Sequence, residues 1–394
     1  MPGAYLFKGG YVATLDESFG DFAAGAVLVE DGVIKAVGSI DDISAPDAEV
    51  IDTTDGVVIP GMVDTHRHVS MSLTRGIGVD QSLFHFLSNT YMRGLPATGV
   101  DNMYLSALVG SLEALDSGVT TIVDTCETFH SREHAEAELR GLEDSGIRAQ
   151  YMYGMSGYPY GDVPFGRPAW EARLAHVKEL KTQHIWRQSL NGNGIRYADW
   201  HGFPLIRECI ERGIEPSLGI DTVSAIAPDL LSQMRLALQT QRCLDHDAAQ
   251  KQRKIAKDMH FSARDALEWG TRNGAKAAGL GDRIGTLTPE KRADVVFICN
   301  KHSLSASADP LGTALWWMAI PGNVMGQLVG VDVQDLRARA KEGLKEIMEN
   351  LSRVRTELNT EEIDEYLLEV ERSTRINLAK AYVDQVSAKD AFRS

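Results

Sequence analysis

No stretch of the chain reaches the roughly 18 consecutive apolar residues that a membrane-spanning helix needs, so a membrane-embedded protein is not expected. Positive charge is scarce: 40 basic residues stand against 55 acidic ones, a net charge of −15. Nucleic acids and anionic bilayers carry the same sign, and neither is an expected partner. Cysteine is scarce too. Cys126, Cys209, Cys243 and Cys299 form no C-x-x-C pair, which excludes a local cysteine zinc knuckle and fits reduced thiols in packed positions. A G-x-x-x-x-G-K-[ST] loop and a G-x-S-x-G elbow are both missing, and Gly76-Ile-Gly78 lacks the remaining glycine of a dinucleotide fingerprint. A phosphate cradle and a serine nucleophile are therefore not expected. Residues 1–10 lack the basic and apolar blocks of a leader, so the expected location is the cytoplasm.

What the chain does have is an ordinary globular balance, 43% hydrophobic and 24% charged, long enough for one large domain with a smaller companion. Its focus is the stretch 57–69, Val-Val-Ile-Pro-Gly-Met-Val-Asp-Thr-His-Arg-His-Val. Apolar residues without helical spacing predict a strand buried on both faces over 57–63, opening into a polar mouth. His66 and His68 are two apart, so on an extended backbone both imidazoles point the same way and can hold one ion. The alternative reading is a solvated loop.

Before this stretch, short strands at 11–15, 25–29, 33–37 and 50–51 predict a small antiparallel sheet, with Glu30-Asp31-Gly32 as a hairpin turn. After it, helices at 82–93, 101–117 and 131–144 alternate with strands at 119–124 and 147–153, the pattern of a parallel sheet with helical crossovers. A helix at 168–182 follows, and then no convincing strand appears over 186–200. Alternation resumes with a helix at 204–212, a strand at 216–220 ending in Asp221, and helices at 230–241 and 262–278.

Pro60-Gly-Met-Val-Asp-Thr-His-Arg-His68, Leu115-Asp-Ser-Gly-Val-Thr-Thr-Ile-Val-Asp124, Pro216-Ser-Leu-Gly-Ile-Asp221 and Ile284-Gly-Thr-Leu-Thr-Pro-Glu-Lys-Arg-Ala-Asp294 together resemble the amidohydrolase superfamily, in its triazine hydrolase and cytosine/guanine deaminase branch. The resemblance implies an α/β fold, a (β/α)₈ TIM-type barrel over 57–283, with a composite β-sandwich built from 1–56 and 284–329 and a helical extension over 330–394. It implies one divalent metal, zinc or iron, at the C-terminal mouth of the barrel. His66, His68 and Asp221 are the implied metal ligands, and Asp221 also orients or deprotonates the attacking water. The implied activity is hydrolysis of a non-peptide C–N bond, as in a deaminase or aminohydrolase of a cyclic amidine: a purine, pyrimidine or triazine. A homo-oligomer is compatible with it.

The chain departs from the family pattern between the third strand and Asp221, where a third metal histidine, a proton-shuttling glutamate and a further histidine are expected. Only His176, His184 and His201 fall there. The first two read as a solvated helix face, and His201 reads as a substrate-side residue. Phe84 and His85 are further pocket candidates near the histidine pair. Four strands where a barrel has eight predict that about three strand-helix units are missing near 184–200. The second expectation, from a different class, is therefore a shortened, non-catalytic relative acting as a partner subunit.

Overall fold

The structure, a computed structural model, describes residues 3–82, 85–91, 94, 97–126, 129–154, 160–164, 166–183, 194–196, 206–255, 259–299, 309–316 and 332–357. Seven strands open the chain: β1 (Ala4–Lys8), β2 (Tyr11–Ala13), β3 (Asp21–Phe22), β4 (Gly25–Glu30), β5 (Val33–Ser39), β6 (Glu49–Asp52) and β7 (Gly56–Pro60). Asp31 and Gly32 both adopt positive φ, 50° and 72°, the geometry of the tight turn that joins β4 to β5. The expected single antiparallel sheet is instead two mixed ones. β5-β4-β1-β6 form the first, in which β1 runs antiparallel to β4 and parallel to β6. The second is closed by a strand from far along the chain, β13 (Val295–Cys299), which lies antiparallel to β7 in the order β13-β7-β2-β3. Val12, Val27, Ile34, Val58, Leu287 and Phe297 form one buried cluster drawn from both sheets.

The expected strand over 57–63 breaks at Gly61. A Cβ there would lie 2.2 Å from Thr120 Oγ1, so the chain passes close to its neighbour and changes sheet. β7 belongs to the sheet just described, whereas β8 (Met62–Arg67) starts a parallel one with β9 (Val119–Cys126) and β10 (Arg148–Tyr153) in the order β10-β9-β8. On the other side of β8, Arg67 bridges in parallel to Asp221, just past β12 (Ser217–Gly219). β12 in turn pairs with β11 (Gly194–Arg196). That three-residue strand lies where none was expected; Gly-Ile-Arg carries one apolar residue, too little for a pattern to register.

Helices cover the outer face: α1 (Val100–Asp116), α2 (Arg132–Ser145), α3 (Arg167–Gln183), α4 (Ile206–Glu211), α5 (Leu230–Lys251), α6 (Ala263–Trp269), α7 (Arg272–Ala277), α8 (Pro310–Trp316) and α9 (Val333–Glu357). Gly118 and Gly146 take positive φ, 85° and 74°, where α1 and α2 stop. The helix expected at 262–278 is two, α6 behind a Ser262–Asp265 capping box and α7 after Gly270. α9 lays Ile347 and Leu351, both nearly fully buried, against Leu73, Leu105 and Ala97. Among the described residues the parallel strands do not close into a barrel, and no helix is long and apolar enough to cross a membrane.

Candidate metal centre

Three side chains far apart in sequence meet at the C-terminal ends of β8 and β12. His66 lies on β8, His68 directly follows it, and Asp221 follows β12 two residues on. The backbone joins them reciprocally: His68 N donates to Asp221 O and Asp221 N donates to His66 O, each at 2.8 Å. Close approach of the two strands depends on Gly219, where a Cβ would lie 2.6 Å from His66 N and 2.8 Å from His66 O. Asp221 itself takes φ 67°, a left-handed conformation that is uncommon outside glycine and found mostly at turns and functional sites.

Beneath these residues lies a buried ion pair. Asp64 Oδ1 accepts from His66 N and Ile220 N at 3.2 Å each, clamping the two strands with one carboxylate. Arg67 donates to Asp64 Oδ2 at 3.2 Å and to Pro228 O at 3.3 Å. Burial pushes the Asp64 carboxyl up to about 6, against the opposing pull of the Arg67 charge and of the backbone hydrogen bonds.

His66 and His68 sit edge to face, ring centroids 4.9 Å apart. Their Nε2 atoms lie 3.6 Å and 3.1 Å from Asp221 Oδ1, and one donor atom from each of the three residues falls within 4.8 Å of the others. All three residues are more than nine-tenths buried. Burial raises the Asp221 carboxyl, but hydrogen bonds and charge from the two histidines outweigh it and hold the group well below the usual carboxylate range. Donors about 2.0–2.1 Å from a tetrahedral ion lie about 3.3 Å apart, a spacing that the two His–Asp distances bracket.

The imidazole partners point the same way. His68 Nδ1 lies 2.5 Å from Thr125 O, a carbonyl that can only accept, so Nδ1 carries the hydrogen. Neutral Nε2 then turns a lone pair toward the Asp221 carboxylate. That contact repels unless a cation, a proton or a metal ion, lies between the two. Two imidazole nitrogens and one carboxylate oxygen are donors that suit zinc or iron(II) and leave further positions for water. The residues present therefore fit a divalent ion.

Of the other sequence candidates, His85 is exposed and paired with Ser82, Oγ to Nδ1 at 3.3 Å, and is not among the converging side chains. Phe84, His201 and His184 lie outside the described residues. His176 is no solvated face: it is fully buried, its Nδ1 within 2.9 Å of the Tyr153 hydroxyl and 2.5 Å of the Tyr160 hydroxyl, with Glu136 3.3 Å from Nε2. That face of α3 packs on β10 and the loop after it rather than on solvent. Asp64, Thr125 and Gly219 went unmarked in the sequence. Of these, only Asp64 carried a signal, a lone acid inside an apolar strand.

A sequence profile described as the amidohydrolase family matches residues 57–198 and 200–313. A 5′-deoxyadenosine deaminase of Methanosarcina barkeri is 35% identical over 150 residues, 38% of this chain and 33% of the relative. A 5-methylthioadenosine/S-adenosylhomocysteine deaminase of Pyrococcus furiosus is 41% identical over 129 residues, 33% of this chain and 29% of the relative. The matched segment thus spans about a third of these curated relatives. In structure, a mutant atrazine chlorohydrolase of Arthrobacter aurescens TC1 complexed with zinc and atraton superposes with a TM-score of 0.67 at 17% identity, covering 86% of this chain and 100% of that one. An adenosine deaminase from Xanthomonas campestris with bound zinc gives 0.58 at 19% identity, covering 88% and 98%.

Proposed function

The chain belongs to the amidohydrolase family, and from that premise we propose that it is a metal-dependent hydrolase of non-peptide C–N bonds, releasing ammonia or an amine from a nitrogen heterocycle. The observation that carries the reading is the convergence of His66 Nε2, His68 Nε2 and Asp221 Oδ1 on one point at the ends of β8 and β12. These residues would hold a single divalent ion, zinc or iron. Bound there, the ion would supply Lewis-acid activation of a water, making a nucleophile near neutral pH.

The remaining work falls to the protein. Asp221, whose Oδ1 lies beside both imidazoles, would hold the attacking water and take its proton on the carboxylate. The Asp64–Arg67 pair keeps the two strands in register so that the three donors need not rearrange. Phe84, His85 and His201 are proposed on the substrate side. The matched relatives' names support an amino-substituted purine nucleoside, and the structural neighbours add triazines and adenosine to the compounds worth screening.

We read β10-β9-β8 with β12 and β11 as the surviving strands of a (β/α)₈-type barrel over 57–283. Segments 1–56 and 284–329 are read as a composite sandwich and 330–394 as a helical extension, of which 300–308, 317–331 and 358–394 lie outside the described residues. The location proposed is the cytoplasm. The test is metal content per chain, by inductively coupled plasma mass spectrometry, beside the His66→Ala/His68→Ala double variant. The expected result is about one equivalent of zinc or iron, lost in the variant, with ammonia release from an adenosine-type or triazine substrate by the wild type. Metal near zero in both proteins would sink the reading.

A further inference from the structure

We propose, resting on the metal-centre reading above, that Thr125 is a positioning residue for both histidines, its hydroxyl and its carbonyl oxygen fixing each imidazole in the tautomer that presents Nε2 to a cation. Thr125 is the penultimate residue of β9, next to β8, and is almost fully buried. Its carbonyl oxygen lies 2.5 Å from His68 Nδ1 and its Oγ1 lies 3.2 Å from His66 Nδ1. One residue therefore meets both ring nitrogens that face away from Asp221.

The strand pairing explains how a single residue reaches two rings. Asp64 pairs with Ile122 but Arg67 pairs with Asp124, so β8 spends one more residue than β9 over this interval. Such an irregularity bends the strand and re-aims its side chains. With it, His66 Nδ1 meets the side chain of Thr125 and His68 Nδ1 its main chain.

The two contacts differ in chemistry. A carbonyl oxygen only accepts, so the His68 tautomer is set by the backbone whatever residue stands at 125. A hydroxyl can donate or accept, and here it has a second partner to donate to, Met152 Sδ on β10, 4.0 Å from Oγ1. With its proton directed there, Oγ1 offers a lone pair to the Nδ1 hydrogen of His66. His66 Nε2 is then left with a lone pair facing Asp221. Without the hydroxyl, Nδ1 would face a side chain unable to accept. The hydrogen is then better placed on Nε2, where the Asp221 carboxylate accepts it and where it blocks the ligand position.

Valine is the discriminating substitution, because it keeps the β-branched shape and the backbone carbonyl and removes only the hydroxyl. Serine keeps the hydroxyl and gives up the methyl group. Two measurements are made on wild type, Thr125→Val and Thr125→Ser: long-range ¹H–¹⁵N correlation of the histidine rings in the metal-free protein, and zinc affinity by competition with a chromogenic chelator. Nδ1 of His66 should carry a hydrogen in wild type and in Thr125→Ser, whether or not Nε2 is also protonated toward Asp221, whereas in Thr125→Val the ring hydrogen should sit on Nε2 alone. His68 should keep Nδ1–H in all three, an internal control for folding. Zinc affinity should fall about 10- to 100-fold in Thr125→Val and return to within about threefold of wild type in Thr125→Ser. A wild-type His66 with its hydrogen on Nε2 alone, or a Thr125→Val protein with the wild-type ring pattern and zinc affinity, would overturn the assignment. A wild type that binds no zinc yet shows the expected ring pattern, altered in the valine variant, would count against the hydrolase reading while upholding the role of Thr125.

Discussion

Gly219 is the residue on which the metal centre's geometry turns most sharply. An added methyl would collide with the backbone of His66 on both its N and O sides, and backbone cannot swing away as a side-chain tip can. Gly219→Ala is therefore expected to lower stability by about 1–3 kcal/mol and to weaken metal binding, read by urea denaturation and chelator competition. Asp64→Ala would leave the Arg67 guanidinium buried without its carboxylate and release His66 N and Ile220 N together. The expected cost is about 3–5 kcal/mol, seen as a lowered denaturation midpoint. These residues separate what sequence exposes from what it hides. His66 and His68 are singled out by their spacing alone, which aligns the two rings, whereas Asp221 enters only through the family resemblance of 216–221. Asp64, Thr125 and Gly219 act on residues lying on a neighbouring strand, and no local pattern records which residue will lie there.

At the scale of elements, α2 is tied to the sheet by a buried polar cluster. Glu138 accepts from the Tyr151 hydroxyl at 3.0 Å, with Asp124 and the Cys126 thiol as its other polar neighbours. Burial lifts the Glu138 carboxyl from 4.5 to about 7, and burial together with the Glu138 charge lifts Asp124 well above its ordinary value. A carboxyl whose folded value is raised stabilises fully below its unfolded value, and that stability is lost as pH rises through the folded one. Wild type should therefore lose stability relative to Glu138→Gln as pH is raised from about 4.5 past 7. Urea midpoints falling in parallel for the two proteins would refute this. The helix α9 is the second such case: Ile347 is almost fully buried against Leu73 and Leu105, and Leu73 belongs to the 3₁₀ turn Val69–Thr74 that follows His68. Ile347→Ala should cost about 2–4 kcal/mol, measured as a drop in unfolding free energy. The helices at 101–117 and 131–144 were legible from period and capping, but the expected 230–241 runs on to Lys251 and the expected 262–278 is two helices; the burial of His176 was not legible, because a charged helix shows its inner face only once its neighbour is known.

For the whole molecule, the metal centre joins β8, where the parallel sheet begins, to the segment after β12, more than 150 residues later. An ion bound there would tether two distant parts of the chain. Zinc at about 100 times its dissociation constant should stabilise the folded state by about 2.7 kcal/mol, read as a rise in melting temperature reversed by chelator and lost in the His66→Ala/His68→Ala protein. The alternation of strand and helix on either side was legible as far as the third parallel strand. A returning strand from 284–329 was expected from the resemblance beside residues 1–56, and β13 lies instead against β7 at Gly56–Pro60; the mixed order of the N-terminal sheets was not legible, since it rests on β1 pairing at once with β4 and β6. At Gly61 the chain leaves one sheet and enters the other without an intervening loop. Tension applied to either sheet is consequently carried along continuous backbone into His66. Amide hydrogens on the two sides should exchange with solvent as one cooperative unit, so that loosening the N-terminal sheets slackens the histidine pair as well.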